Sequence, residues 1–312
     1  MWLLPLCYTI AILLISYFAG ALNYPDDGNI RAQRDFNAAL GMPVVTGYLW
    51  FAIRSLHRRT ASTIVDFLSL VNRLSDYDYY RALISRKLSE QVLLAASIAL
   101  LVTIIYLSTE GLLALDLNIR VLLLNMLAVP FWFFIWLYLM QVTSTTLLIC
   151  NNFVFNEKVS LENVRIFKPI SDFAINNLVQ AIIGLSIVPV FWFGKEIPAI
   201  DVFICVLFSG GIFLYVLWPA FRVNQIVADA KKNKILFYES KMQEIYESKR
   251  LVIPEERSAL LTQLNRYQDK IDELAAVSLW PVDDIQLFKI GCASLLVGIS
   301  WLTFTGFVHI AA

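Results

Sequence analysis

The sequence is short of charge. Asp, Glu, Lys and Arg make up only 16 % of its 312 residues, against 58 % hydrophobic, whereas a soluble domain is about a quarter charged. With a mean hydropathy of +0.65, this excludes a water-soluble globular chain and indicates an all-α integral membrane protein. Histidine is almost missing, and neither His57 nor His309 belongs to a metal-binding or catalytic spacing. The four cysteines (Cys7, Cys150, Cys205, Cys292) lie in or beside apolar runs without paired spacing, so they read as packing residues and not as a disulfide or metal framework. The twelve glycines form no Walker-type or dinucleotide-binding loop. No catalytic set, metal or cofactor is expected, and the chain reads as a non-enzyme.

What is present is a series of long apolar runs at 2–22, 36–53, 91–108, 121–149, 174–194, 202–221 and 286–310, about seven transmembrane helices by length. The second is interrupted by Gly41-Met42-Pro43. The first starts at Trp2 with no basic residues before it, so it reads as a retained span although Ala19-Gly20-Ala21 mimics a cleavage site. Apart from Cys and Tyr, the only ionisable residues inside the runs are Lys289 and His309, both near an end. Buried acids and bases mark proton relays and ion-coupling sites, so their scarcity speaks against a coupled transporter and an intramembrane hydrolase. No internal repeat stands out.

Orientation follows from the basic residues. With the N-terminus in the cytoplasm and the C-terminus outside, every Lys and Arg except Arg31, Arg34, Arg120 and Lys195 falls on the inner side. Seven acids (Asp26, Asp27, Asp35, Glu110, Asp116, Glu196, Asp201) fall outside, giving an acidic outer face and a basic inner one. The chain divides into spans one and two (1–53), cytoplasmic amphipathic helices (54–90), spans three to six (91–221), a cytoplasmic helical hairpin (222–280) and span seven (281–312).

In 54–90, Ile64, Phe67, Leu68, Val71 and Leu74 repeat at helical spacing, and Ser75 is expected to cap a second helix carrying Tyr77, Tyr79, Tyr80, Leu83 and Leu88. In 222–280 the helix of span six runs past Trp218-Pro219 to about Lys249-Arg250. A second helix starts near Pro254-Glu255-Glu256, with Leu260, Leu264, Tyr267, Ile271 and Leu274 spaced 4, 3, 4, 3 as in a coiled-coil seam. Trp280-Pro281 marks re-entry. The result is an antiparallel hairpin that reads as a docking arm or lever.

Span four supplies the candidate pore lining. Its inner end carries Gln141, Thr145 and Asn152 on one face, with Asn125 further out, uncharged groups suited to a water-filled path or to interhelical hydrogen bonds. Pro130, Gly210, Gly211 and Pro219 are candidate gating hinges. Arg58, Arg59, Arg73, Arg81, Arg86 and Lys87, with Lys231, Lys232 and Lys234, form the basic inner surface. They suit lipid headgroups, or, with Tyr77, Tyr79 and Tyr80 among them, an anionic ligand such as a nucleotide or short nucleic acid.

By architecture alone, a polytopic bundle with a helical cytoplasmic assembly resembles effector channels, including some used in bacterial signalling and antiphage defence. The scarcity of coupling charges, the polar inner half of span four, the acidic outer face and the hairpin seam lead to the expectation of a homo-oligomeric, ligand-gated ion channel in a bacterial inner (plasma) membrane. Its pore is expected on a symmetry axis, because spans without buried charge do not enclose an aqueous path alone. The contrasting expectation is a non-conducting anchor or receptor whose hairpin docks a cytosolic protein partner.

Overall fold

The computed structural model describes residues 2–25, 29–109, 119–154, 166–195, 197–248, 256–276 and 284–311. Among these there is no strand. The helices are α1 (Leu3–Phe18), α2 (Ile30–Leu70), α3 (Tyr77–Thr109), α4 (Ile119–Ile149), α5 (Lys168–Ile187), α6 (Ala199–Ser248), α7 (Glu256–Ala276) and α8 (Asp284–Ala311). Six of them, α2 to α6 and α8, are long and apolar enough to cross a membrane. α1 has 16 residues, about 24 Å at the usual rise, and falls short of a hydrocarbon core of about 30 Å. It stops where Gly20 turns to φ 72° and the Ala21 N–H reaches back to the Ser16 carbonyl. The sequence that mimics a cleavage site is thus a helix C-cap.

α2 runs across the expected boundary at residue 53. It is one helix of 41 residues, capped by Asn29 accepting from the Ala32 N–H at 3.0 Å, and it passes unbroken through Pro43. α1 packs against this stretch: Thr9 donates to the Pro43 carbonyl at 3.3 Å, and Gly47 leaves room for it, since a Cβ there would strike the Thr9 side chain.

The helix persists past residue 53 because its amphipathic end is a core element. Leu56, Ile64, Phe67 and Leu68 are buried together with Tyr80 of α3, Phe153, Phe167 and Phe173. The Phe67 and Tyr80 rings lie 5.0 and 4.8 Å from that of Phe153. α2 ends in a Schellman motif: Asn72 adopts φ 56°, its N–H reaches the Ser69 carbonyl, and the Arg73 N–H reaches that of Leu68. Ser75 does not cap α3. Its hydroxyl bonds Asp76 within a 3-10 turn, and α3 starts at Tyr77.

α4 likewise runs straight through Pro130 and closes in a π-helical turn, Cys150–Val154. α6 is continuous for 50 residues across Gly210, Gly211 and Pro219, about 75 Å at the helical rise. α7 returns antiparallel to it. Tyr238 stacks on Tyr267 at 5.7 Å, Lys231 Nζ donates to the Ala275 carbonyl at 2.9 Å, and Leu264 is buried between the two. The turn around Lys249-Arg250 and Pro254-Glu255, and the re-entry at Trp280-Pro281, lie outside the described residues, as do Asp26, Asp27, Glu110, Asp116 and Glu196.

α5 is the central post. It packs on α2, α6 and α8, and α8 is tied to it by Gln286 donating to Asp172 and Ser300 donating to the Ser186 carbonyl.

Candidate functional site

The polar groups of the bundle gather where α2 meets α5 and the 3-10 turn that follows it (Val188–Trp192). At one end of this seam, Asn37 Nδ2 donates to the carbonyls of Phe191 (3.1 Å) and Phe193 (2.9 Å), and Gln33 joins at Phe193 (2.8 Å). One turn further on, Gly41 admits the Phe191 ring, whose atoms would lie 2.7–3.0 Å from a Cβ there. Mid-seam, the Tyr48 hydroxyl donates to the Gln180 carbonyl. Near the α2–α3 turn the Arg59 guanidinium donates to the Asn176 carbonyl and to Ser55 Oγ (2.9 Å).

Tyr48, Ser55, Arg59, Ser62 and Asp66 fall on one stripe of α2 because they are spaced 7, 4, 3 and 4. The stripe leads into a 400 Å³ cleft lined by Arg59, Asp66, Lys168, Asp172 and Asn176. Two cations and two carboxylates around one opening suit a hydrated, dipolar environment.

Deeper in, α5 carries polar side chains left unmatched. Both amide atoms of Asn177 and Nε2 of Gln180 find no hydrogen-bond partner among the described residues, although these residues are only 4 % and 6 % exposed. A buried amide without a partner costs about 1–3 kcal/mol, so such groups mark places where water or a ligand completes the set. Gln180 borders a 290 Å³ chamber enclosed by α2, α4, α5 and α6, whose walls include Tyr48, Phe131, Tyr138, Phe191, Phe208 and Phe213. Among the described residues no three His, Cys, Asp or Glu side chains could hold a metal together.

The residues singled out from sequence are dispersed by the fold. Gln141 is 1 % exposed and bonds Gln91 of α3, Thr145 is buried with its hydroxyl on the Gln141 carbonyl (2.7 Å), and Asn152 bonds the Leu148 carbonyl (2.9 Å). Gln141 thus ties α4 to α3, whereas Thr145 and Asn152 bond within their own helix. Asn125 is half-buried further along α4. Pro130, Gly210, Gly211 and Pro219 sit in unbroken helix, and a Cβ on either glycine would meet open space.

The three tyrosines do not share a surface: Tyr80 is in the core, Tyr77 packs against it, and Tyr79 is exposed. Arg73 pairs with Asp76 (2.8 Å) and Arg86 with Glu90 (3.0 Å), while Arg58, Arg81 and Lys232 are exposed and Lys87 and Lys234 half-buried. Of the basic set, Arg59 alone lines the cleft.

Sequence reasoning passed over Tyr48, Asn176, Asn177, Gln180, Lys168 and Asp172. The signal was there: α5 places three amides within five residues of an otherwise apolar run. Comparison with known proteins yields no match to any family model, curated protein or solved structure.

Proposed function

We propose that the chain is an integral membrane channel of a bacterial inner membrane, N-terminus inside and C-terminus outside, whose ion path follows the α2–α5 seam within each protomer. The carrying observation is the row of polar contacts that Asn37, Tyr48 and Arg59 of α2 make with α5 and the turn after it, together with the buried Asn177 amide and Gln180 Nε2 of α5, which find no partner among the described residues. Buried polar side chains in a spanning bundle face a water-filled space or each other. The charged cleft beside Arg59 forms the cytoplasmic vestibule, and the aromatic chamber beyond it is a hydrophobic constriction of the kind that gates by dewetting. This reading places the path inside the protomer and not on a symmetry axis, because Gln141, one of the expected lining residues, is buried and bonds Gln91 of α3. Homo-oligomers would then assemble through the exposed apolar face of α6. The gating signal is an anionic ligand, such as a nucleotide or oligonucleotide, reaching Arg59 and Lys168, or a protein reaching the hairpin.

Ion flux through protein reconstituted in liposomes, with and without added nucleotides and short oligonucleotides, tests this. Asn177→Leu and Arg59→Gln should each cut flux at least tenfold, while the Gln141→Leu, Thr145→Leu pair leaves the conducting path open. The reverse pattern would return the pore to α4.

A second reading has its own support. α6 is about 75 Å long, more than twice the hydrocarbon thickness, and with α7 it forms a paired projection suited to holding a partner protein. Silence in every flux condition, with one stoichiometric protein crosslinked to the hairpin of the full-length chain in cells, would favour a non-conducting receptor.

A further inference from the structure

The aromatic chamber shares a wall with a neighbouring groove. Between α4 and α6 runs a 500 Å³ apolar groove that shares Tyr138, Leu139, Phe208 and Ile212 with the chamber as walls. Its outer lip includes Ile204 and Leu207, at 55 % and 67 % exposure among the most open residues of α6. These residues belong to the most apolar stretch of the chain, so in a bilayer the groove opens sideways onto lipid tails and not onto water.

We propose that this chamber and groove form a binding site for an isoprenoid quinone, the carbonyl-bearing ring in the chamber and the apolar tail in the groove. Three features select this class. First, the chamber walls contain no Asp, Glu, Lys or Arg, which excludes a carboxylate or phosphate headgroup. Second, six aromatic side chains border it, offering ring faces and edges to a flat occupant. An apolar cavity of about 150 Å³ takes benzene, so 290 Å³ suits a substituted ring. Third, Gln180 lines the chamber, and its Nε2 is a buried donor without a partner among the described residues, which a turn of the side chain would bring to the chamber. A ring carbonyl is an acceptor that needs no charge, and the Tyr48 bond to the Gln180 carbonyl fixes the backbone from which the donor projects. A bare acyl chain would fill the groove yet leave Gln180 unmatched. The inference rests on the bilayer placement; because the chamber is also the constriction of the proposed ion path, a bound quinone would close that path, and binding is therefore measured directly and not through flux.

The test is saturable binding of decylubiquinone, a short-tailed quinone, to the full-length protein in nanodiscs, combined with mass spectrometry of lipids extracted from the protein as purified. One quinone per chain is expected, with native isoprenoid quinone in the extract. Gln180→Leu should weaken binding about tenfold, the worth of one buried hydrogen bond. This variant should keep or raise the melting temperature of the empty protein, because it removes an unmatched donor. Ile212→Trp, which enlarges a side chain on the wall shared by groove and chamber, should abolish binding. Equal affinity in wild type and Gln180→Leu would overturn the proposal, as would absence of saturable binding to folded wild type. Co-purification of phospholipid acyl chains alone would overturn it in favour of a plain lipid groove.

Discussion

α2 and α5 differ from α6 in a way that runs opposite to soluble proteins. The most apolar stretch of α6 has a mean hydropathy of 2.3 and is 6 % buried, whereas those of α2 and α5 have 1.4 and 1.7 and are half buried. The more polar helices occupy the inside. In water such an arrangement would be untenable. In hydrocarbon it is natural, because lipid tails are as apolar as leucine and the free energy of association comes from packing and from matched polar groups. Val216, Ala220, Val223 and Val227 are where α6 is pinned, and before them only one side of the helix, with Ile212 and Phe213, turns inward.

The sharpest way to break this contrast is to remove one aromatic ring from each region. Phe153→Ala, emptying the cluster around Phe67 and Tyr80, should cost about 3–5 kcal/mol. Phe203→Ala, at 63 % exposure on α6, should change stability by less than about 0.5 kcal/mol. Thermal unfolding in mild detergent reads both, and equal losses would mean that α6 is covered by another chain.

Next in size is Arg59→Met, which deletes a charged donor from the Asn176 carbonyl and should cost about 1.5–3 kcal/mol. Arg58→Met, on the exposed side of the same turn, should be near neutral in the same assay.

Glycines sharpen the comparison further. Gly47→Ala drives a methyl into Thr9 and should destabilise by about 1–3 kcal/mol. Gly210→Ala with Gly211→Ala meets no neighbour and should stabilise α6 by up to about 1 kcal/mol per site. If that pair is a hinge, flux falls while the melting temperature rises. Unchanged flux would make α6 a rigid rod. The smallest effect is expected in the hairpin. A double-mutant cycle on Tyr238 and Tyr267 should give about 0.5–1.5 kcal/mol of coupling, and zero coupling would mean that α6 and α7 do not hold this register.

Much of the fold is legible in sequence. The repeat at Ile64, Phe67, Leu68 and Val71 predicts a buried helix face, and those residues form or border the main core. The seam residues of α7 likewise predict the side facing α6, where Leu264 is buried. Proline misleads at Pro43 and Pro130, since a helix held by neighbours tolerates the lost hydrogen bond that would end it in water. The site is harder to read. Asn177 and Gln180 look like ordinary interhelical polar residues until packing leaves the Asn177 amide and Gln180 Nε2 without partners among the described residues. Gln141 and Thr145 look like a pore face until Gln91 arrives from another helix. Spacing along one helix reveals which residues share a face, but not what that face meets.

The aromatic cluster near the α2–α3 turn has a consequence for synthesis. Phe67 and Tyr80 leave the ribosome early, while Phe153, Phe167 and Phe173, which cover them, come much later in the chain. At about 5–20 residues per second, the first two rings wait for several seconds for the rings that cover them. Contacts so distant in sequence close slowly. A copy of the chain in which α5 fails to dock therefore keeps both rings uncovered on that side.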